Sequence, residues 1–310
     1  MTTLPIIDLA PLRDAPDGGA VPAAIRTAME AHGFFYVTGH GIPEDLIART
    51  RSAALDFFRR PVEEKRQVAV TKHHRGWNAL GDAVMYGASK PDYKEFFQIG
   101  LDLPLDDPDV AAGQPLRGPN VFPDEPREFR VAFQDWFHAI AEAGDLLLQG
   151  VALSLEKGRH FFRPHYGKPL QRTQAVWYPR QPVELGEDQF GVAPHTDFGL
   201  ITLLWQDGSG GLEVLHPEDG WITAPPVEGT LVINAGDLMQ RWTGGRYRST
   251  RHRARNRHVE DRLSIATFYD PSFTAPVDPA DFDAEGEATT AGEHILGRIN
   301  ESFGYRKEAS

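Results

Sequence analysis

Three residues in the second half of the chain have the types and the spacing of metal ligands. His195 and Asp197 are two positions apart, so their side chains point to the same face of an extended strand. A third ligand must come from a neighbouring strand, and His252 lies 55 residues after Asp197. Two imidazoles and one carboxylate that leave coordination positions open are the ligand set expected for the iron(II) of non-haem oxygenases. The spacing therefore predicts one metal site on a β-strand framework.

A second pair of residues is suited to binding a carboxylate. Arg262 and Ser264 come ten and twelve positions after His252 and again share one strand face. A guanidinium binds a carboxylate through two parallel hydrogen bonds, and a hydroxyl beside it adds one more. The pair would hold the far end of a dicarboxylate; the simpler interpretation is a surface arginine next to a turn serine.

The elements that must position these residues are short strands. The sequence over 172–271 is rich in Val, Ile, Thr, Trp and Tyr, and turn clusters interrupt it. Three predicted strands carry the candidate residues: 200–205 directly after His195 and Asp197, 247–256 around His252, and 262–269 from Arg262 onward. Many short strands at close spacing indicate a sandwich or a barrel.

The rest of the chain mixes helices with isolated strands. Apolar periodicity predicts helices over 21–31, 45–60, 128–157 and 291–303 and strands over 33–37 and 95–101. The stretch 66–125 is otherwise irregular, and such long irregular stretches are more often functional than structural. We divide the chain into an N-terminal cap region, 1–125, and a core, 126–310, which form one integrated domain.

Composition restricts the classes of function. The 310 residues include no cysteine, which excludes disulfides, thiolate metal sites and cysteine nucleophiles. The formal net charge of −12 repels phosphate backbones and anionic lipid, so we expect a small-molecule substrate and no nucleic-acid or membrane partner. No window approaches the roughly 18 apolar residues of a membrane span, and the start lacks the pattern of a secretory signal. We expect a soluble cytoplasmic protein, and the oligomeric state is not readable.

One stretch opposes the overall charge. Seven arginines lie within 241–258, largely at alternate positions, which predicts one basic strand face or, more simply, a solvated surface. Histidines outside the metal set repeat no ligand spacing and are predicted to be surface or structural groups: His73, His74, His160, His165, His216, His258 and His294.

Further motifs follow one another along nearly the whole chain. The N-terminal region contains PIIDL (5–9), HGFFYV (32–37), HGIP (40–43), FF (57–58), Pro61 and Lys65. The strand region contains YP (178–179), HTDFGLITLL (195–204), GLEV (211–214), NAGD (234–237), STRHR (249–253) and RLS (262–264). Together and in this order, these motifs resemble the isopenicillin N synthase-like family of iron-dependent oxygenases.

This resemblance implies a mainly β fold with flanking helices: a distorted double-stranded β-helix, or jelly roll, with an N-terminal α/β cap and a C-terminal helix. It implies Fe(II), 2-oxoglutarate and O2 as cofactor and co-substrates. The residues implied are His195, Asp197 and His252 for the metal, and Arg262, Ser264 and Tyr178 for 2-oxoglutarate. Asp237 and the turn 243–245 would shape the strand that carries His252. The expected reaction is hydroxylation, desaturation or cyclisation of a small metabolite, as in secondary metabolism.

Within the family, the stretch 90–97 and the spacing around His195 look closest to bacterial members, among them the microbial ethylene-forming enzyme. Where that enzyme has an arginine for the carboxylate of its amino-acid substrate, this chain has Gln174. Oxidation of another small metabolite is therefore expected in place of ethylene formation.

The substrate must approach from the open mouth of the barrel. A mixture of large apolar faces and a few polar groups is typical of small-molecule pockets. Such residues occur in the segment 75–101 and on two of the strands, and the predicted substrate pocket consists of Trp77, Tyr86, Phe97, Gln174, Trp177 and Phe268.

Two alternatives stay open. An iron oxidase of the same fold that does not consume 2-oxoglutarate carries the same Arg-X-Ser pattern, and release of succinate would separate the two. A jelly-roll protein that binds metal without catalysis has no need of open coordination positions beside an arginine, and consumption of oxygen would exclude it.

Overall fold

The computed structural model describes residues 3–83, 90–186, 188–256 and 260–302. Its helices are α1 (Pro11–Asp14), α2 (Val21–Ala31), α3 (Glu44–Phe58), α4 (Val62–Arg66), α5 (Pro108–Ala111), α6 (Arg127–Ser154), α7 (Asp237–Trp242) and α8 (Ala291–Ser302). Its strands are β1 (Ile6–Asp8), β2 (Phe34–Thr38), β3 (Gly76–Asn78), β4 (Glu95–Gly100), β5 (Arg172–Tyr178), β6 (Val192–His195), β7 (Ile201–Gln206), β8 (Leu212–His216), β9 (Gly220–Thr223), β10 (Leu231–Ala235), β11 (His252–Ala254), β12 (Arg262–Tyr269), β13 (Pro276–Val277) and β14 (Thr289–Thr290). Across these ranges, every helix is too short or too polar to cross a membrane.

Two β-sheets form the centre of the fold. The large sheet has the strand order β1-β2-β10-β7-β12-β5-β4-β3, with antiparallel neighbours except for β1 and β2. The small sheet has the order β6-β11-β8-β9 and is antiparallel. Phe34 and Val232 of the large sheet pack against Leu212 and Val214 of the small one in a buried cluster, so the two sheets face each other. The mainly β, double-stranded β-helix architecture with flanking helices is confirmed.

Helices cover the outer side of the large sheet. Along α6, Phe133, Trp136 and Ile140 recur at helical spacing and are fully buried, which gives the helix one apolar face. Helix α6 contacts α2, α3 and β12, and α3 contacts β5. The helix approaches β12 so closely at Gly144 that a Cβ there would overlap the ring of Tyr269. This layer fixes β5 and β12, the two strands that carry the predicted carboxylate clamp, which consists of Tyr178, Arg262 and Ser264.

Most predicted elements are confirmed with small shifts of their ends. Helix α2 has the predicted bounds, whereas α6 ends three residues before the predicted end and β4 one residue before it. The stretch predicted to be irregular also contains β3 and α5. These two elements are short, and periodicity cannot detect an element of three or four residues.

The predicted strand over 247–256 is wrong in length, because only β11 (His252–Ala254) forms there. Residues before it belong to α7 and to a turn in which Gly244 and Gly245 adopt φ values of 58° and 85°. Such values favour glycine, so the two glycines end α7 and prevent an early strand. The arginines of this stretch consequently do not share one strand face, as Arg241 lies in α7 and Arg253 forms an ion pair with Glu213.

Candidate active site

The three predicted metal ligands come from a crossing between the two sheets. His195 is the last residue of β6 in the small sheet, and Asp197 lies in the loop that leads to β7 in the large sheet. His252 opens β11 and is the direct cross-strand partner of His195. The prediction that His195 and Asp197 start one strand and share its face is therefore wrong. The ligand atoms of the three side chains nevertheless lie within 4.8 Å of one another, the one such cluster of His, Cys, Asp or Glu among the described residues.

The carboxylate of Asp197 is held with its two oxygens in different roles. Its Oδ2 atom accepts hydrogen bonds from Thr202 Oγ1 at 2.6 Å and from Asn234 Nδ2 at 2.8 Å. Its Oδ1 atom lies 3.6 Å from His195 Nε2 and 3.7 Å from His252 Nε2. Strands β7 and β10 thus fix the orientation of the carboxylate, and one oxygen is left to face the two imidazoles.

Backbone carbonyls orient both imidazole rings. The Nδ1 atom of His195 lies 2.8 Å from the carbonyl oxygen of Ala193, and that of His252 lies 3.2 Å from the carbonyl oxygen of Thr250. A carbonyl oxygen can only accept a hydrogen bond, so each Nδ1 carries the proton. Each Nε2 then presents its lone pair to the space between the two rings and Asp197 Oδ1. Three oriented donors of this kind fit a divalent iron ion.

Electrostatics favours the protonation states that a bound metal requires. Burial by itself would raise the pKa of Asp197, but the facing His252 and His195 outweigh it and hold that pKa well below its ordinary value. Burial and the neighbouring His195 lower the pKa of His252 to about 4. At neutral pH the site therefore presents a carboxylate and a neutral imidazole, which are the forms that bind metal.

Asp237 ties together the two segments that carry the ligands. Its Oδ1 accepts from Ser249 Oγ at 2.6 Å and its Oδ2 from Thr196 Oγ1 at 3.1 Å, while its backbone N–H donates to the carbonyl oxygen of Asp197 at 2.7 Å. Arg298 of the C-terminal helix α8 reaches the same carboxylate at 3.1 Å. Asp237 thus holds both the loop between the sheets and the approach to β11, as the resemblance implied.

The predicted carboxylate clamp borders the same cavity as the ligands. Arg262 is 1% exposed, and its guanidinium lies 4.6 Å from the ring centre of Tyr178. Its Nη1 lies 3.3 Å from Ser264 Oγ, and its Nε donates to the carbonyl oxygen of Gly210 at 2.6 Å. Within the described part of the chain, Arg262 has no carboxylate in ion-pair contact. A buried cation without a counter-charge favours an anionic ligand.

Three of the predicted substrate-pocket residues do not line this cavity, and these predictions are wrong. Trp77 donates from Nε1 to the buried Glu95, and Phe97 packs on Phe129 at 4.9 Å between ring centres. Trp177 stacks on Phe58 at 6.1 Å, also on the outer side of the large sheet. The cause is alternation: neighbouring residues of a strand face opposite sides, and these residues occupy the outer positions of β3, β4 and β5.

Gln174 and Phe268 do line the cavity, and Tyr86 lies outside the described residues. Sequence reasoning missed other members of the lining: Lys94, Arg172, Val176, Leu204 and Ala266, while Phe198 entered only as part of a family motif. Arg172 and Val176 could have been found from Gln174, because residues two apart on β5 share its inner face.

Comparison with known proteins extends over both parts of the chain. Residues 4–125 match the family of the N-terminal region of the non-haem dioxygenase in morphine synthesis, and residues 162–271 match the 2OG-Fe(II) oxygenase superfamily. The 2-oxoglutarate-dependent dioxygenase thnC of Trichoderma harzianum is 35% identical, covering 99% of this chain and 96% of its own. The homoarginine-6-hydroxylase 2-ODD-C23 of Glycine max is 30% identical, covering 97% and 98%.

Solved structures agree with this assignment. A full-length Neurospora crassa protein in complex with alpha-KG and thymine superposes with a TM-score of 0.82 at 25% identity, over 96% of each chain. The cluster of two histidines and an aspartate, the buried arginine and these relatives together show that the chain belongs to the 2OG-Fe(II) oxygenase superfamily.

Proposed function

We propose that the protein is an Fe(II)- and 2-oxoglutarate-dependent dioxygenase that hydroxylates, desaturates or cyclises a small metabolite. In the hydroxylation form, substrate R–H, O2 and 2-oxoglutarate give R–OH, succinate and CO2, so one oxygen atom enters each organic product. The observation that carries the proposal is the position of the uncompensated Arg262 cation in the same cavity as His195, Asp197 and His252.

In this proposal His195, Asp197 and His252 hold the iron, which supplies activation of dioxygen and coupling of its reduction to the decarboxylation of 2-oxoglutarate. Thr202 and Asn234 keep the Asp197 carboxylate in its orientation through their bonds to Oδ2. Both bonds come from the protein's own side chains, and such hydrogen bonds to a ligand carboxylate hold it in the orientation that a bound metal requires.

The chain's other role is to bind the organic reactants and keep the cavity dry. Arg262 and Ser264 would bind the distal carboxylate of 2-oxoglutarate, with the Tyr178 ring holding the guanidinium flat. Phe96, Phe198 and Phe268 border the remaining space and would exclude water from the reacting centre.

Further parts of the proposal go beyond the family assignment. We propose the division into a cap, 1–125, and a core, 126–310, and the match of residues 4–125 to an N-terminal family supports it. The placement among bacterial members, in secondary metabolism and in the cytoplasm rests on the sequence patterns alone. Ethylene formation is disfavoured, because Gln174 is bonded to Gln98 and supplies no cation for an amino-acid carboxylate.

The test is turnover of the iron-loaded protein with 2-oxoglutarate and a library of small metabolites. Succinate, dissolved oxygen and ethylene are measured in the same vessel. Succinate formation that some metabolite stimulates supports the proposal. Oxygen consumption without succinate would instead indicate an iron oxidase that does not use 2-oxoglutarate. The absence of both oxygen consumption and succinate would indicate a protein that binds metal without catalysis.

A further inference from the structure

Two glutamine side chains on β4 and β5 form a hydrogen-bonded relay beside the cavity. The Nε2 atom of Gln98 donates to the backbone carbonyl oxygen of His74, and Gln174 Nε2 donates to Gln98 Oε1 at 2.5 Å. Both side chains are buried, Gln98 at 2% and Gln174 at 9% exposure. Because these residues are cross-strand partners, the strand register itself sets their contact.

The direction of this relay follows from its first acceptor. The His74 carbonyl oxygen can only accept, so Gln98 must turn its NH2 group towards it and its Oε1 towards Gln174. Gln174 must therefore donate its own NH2 group to Gln98. Its Oε1 receives no hydrogen bond from the described residues and is not among the side-chain atoms sealed from solvent. Since Gln174 lines the cavity, the relay presents a hydrogen-bond acceptor there.

Arg172 presents the opposite polarity on the same strand face. It lies two residues before Gln174, a separation of roughly 6.8 Å along the strand. Its Nη2 donates to Asp270 Oδ2 at 3.1 Å, and its guanidinium rests 5.0 Å from the ring centre of Phe268. Within the described residues, the N–H groups of Nε and Nη1 have no acceptor, and only Nε is sealed from solvent. Arg172 lines the cavity, so it has donors to offer a ligand.

The cationic side chains of this wall that line the cavity, Lys94 and Arg172, are each paired with a carboxylate. Asp270 is fully buried and pairs with Arg172, and Asp92 pairs with Lys94 at 3.1 Å between Oδ2 and Nζ. Among the described cations that line the cavity, Arg262 alone has no carboxylate partner. A second anion would add uncompensated negative charge to the wall at Arg172, whereas a neutral carbonyl would use the donors without a charge penalty.

We infer that the primary substrate is a neutral small molecule with a carbonyl-type acceptor for Arg172 and an N–H or O–H donor for Gln174. Gln98 is a positioning residue that fixes the polarity of Gln174. The inference rests on the proposed function, which assigns Arg262 to 2-oxoglutarate and leaves this wall for the other substrate.

The experiment measures binding, so that it does not depend on turnover. Iron- and 2-oxoglutarate-loaded protein is titrated under argon, by calorimetry, with a panel of small lactams, ureides and primary amides. Each compound is paired with its N-methylated form and with a carboxylic acid of the same skeleton; thymine and 1,3-dimethylthymine form one pair. We expect N–H compounds to bind about tenfold or more tightly than both counterparts, because a buried acceptor loses its partner in the methylated form.

Three variants separate recognition from folding. Gln174→Met should abolish the preference for N–H over N-methyl compounds. Gln98→Met should keep binding but reduce that preference severalfold, because the Gln174 amide can then turn either atom to the cavity. Gln67→Met, at an exposed glutamine of the surface, should change nothing. Thermal unfolding of each variant shows whether it is folded. If the Gln174 variant does not fold, the Gln98 variant alone tests whether the orientation of the Gln174 amide sets the preference for N–H compounds.

Several outcomes would overturn the inference. These are equal binding of N-methylated compounds, tighter binding of the acids, no binding by any panel member, or an unchanged preference in the Gln98 variant. The proposed function is judged separately, from 2-oxoglutarate binding and from succinate release on the same preparations. Succinate release with no N–H preference would reject this substrate class and leave the dioxygenase assignment in place.

Discussion

The two sides of the large sheet each bury a cation, and the two cations differ in whether a carboxylate lies beside them. On the outer side, Lys65 lies 2.8 Å from both carboxylate oxygens of Glu95 and also donates to the carbonyl oxygen of Phe58 at 3.0 Å. On the inner side, Arg262 is equally buried but has no described carboxylate partner. Breaking a buried ion pair destabilises a protein, whereas a buried cation that lacks a carboxylate partner and lines a cavity is a candidate site for an anionic ligand.

The largest effect is expected at the inner side, from loss of a metal ligand. Asp197→Ala, His195→Ala and His252→Ala should each lose iron and turnover while staying folded. The loss of turnover should exceed the roughly 100-fold typical of removing an outer hydrogen-bond partner of a ligand. Iron content, succinate formation and circular dichroism are measured against Asp56→Ala, an exposed aspartate on α3. Iron retained with normal turnover in any two of the three variants contradicts the metal assignment.

The next effect is expected on the outer side and concerns stability alone. Lys65→Met leaves the Glu95 carboxylate buried with only the N–H of Trp77, so the free energy of unfolding should fall by about 3–5 kcal/mol. Urea unfolding measures that change, and the KM for 2-oxoglutarate should stay at the wild-type value. A raised KM with unchanged stability would reverse the roles that we assign to the two sides.

Arg262→Met should show the opposite result, with weaker binding of 2-oxoglutarate and no loss of stability. Loss of a charge-assisted pair costs about 2–5 kcal/mol when the partner charge stays buried, so the KM for 2-oxoglutarate should rise far more than that for the primary substrate. Removal of an uncompensated buried cation should leave the free energy of unfolding equal or higher. Arg262→Lys, which keeps the charge but not the paired geometry, is the matched control and should have the smaller effect. Equal changes in both KM values would remove Arg262 from the clamp.

The smallest effects are expected from one phenylalanine on each side. Phe97→Leu, in the outer aromatic cluster, should lower the free energy of unfolding by about 1–2 kcal/mol, because ring contacts and buried volume are lost, and leave coupling intact. Phe268→Leu, in the cavity, should leave stability nearly unchanged but raise the ratio of succinate to product. Both quantities are measured in both variants, with the substrate that the metabolite library provides. The same ratio in the two variants would show that Phe268 does not border the substrate.

The sequence predicted the metal ligands better than the substrate pocket, and the reason is the register of the strands. A two-residue spacing and a histidine 55 residues later predicted the ligands together with the family resemblance, although the structure places His195 and Asp197 on the crossing between sheets. The side of a strand that faces the cavity depends on its partners, and a shift by one residue reverses it. Gln174 and Trp177 are three positions apart on β5, so the two could not share a face, and this conflict was visible in the sequence.

Other features depended on contacts between distant parts of the chain. Arg172 reads as an ordinary charged residue until Asp270 and Phe268 are found beside it, 98 and 96 positions later. The short β11 follows from a glycine turn after α7, while the predicted alternation of arginines suggested a longer strand. Motif spacing therefore predicted the side chains that would bind one metal, whereas the ion pairs of the cavity wall could be found only from the packed structure.

The pairing of His195 with His252 also has a consequence for folding. Strands β6 and β11 contain only four and three residues, which is short for a strand that must hold its place in a sheet. A metal bound by both histidines cross-links positions more than 50 residues apart, and closing a loop of that size in an unfolded chain costs on the order of 4 kcal/mol of entropy. We therefore expect bound iron to stabilise the pairing of β6 with β11, and amide hydrogens of these two strands should exchange faster in iron-free protein.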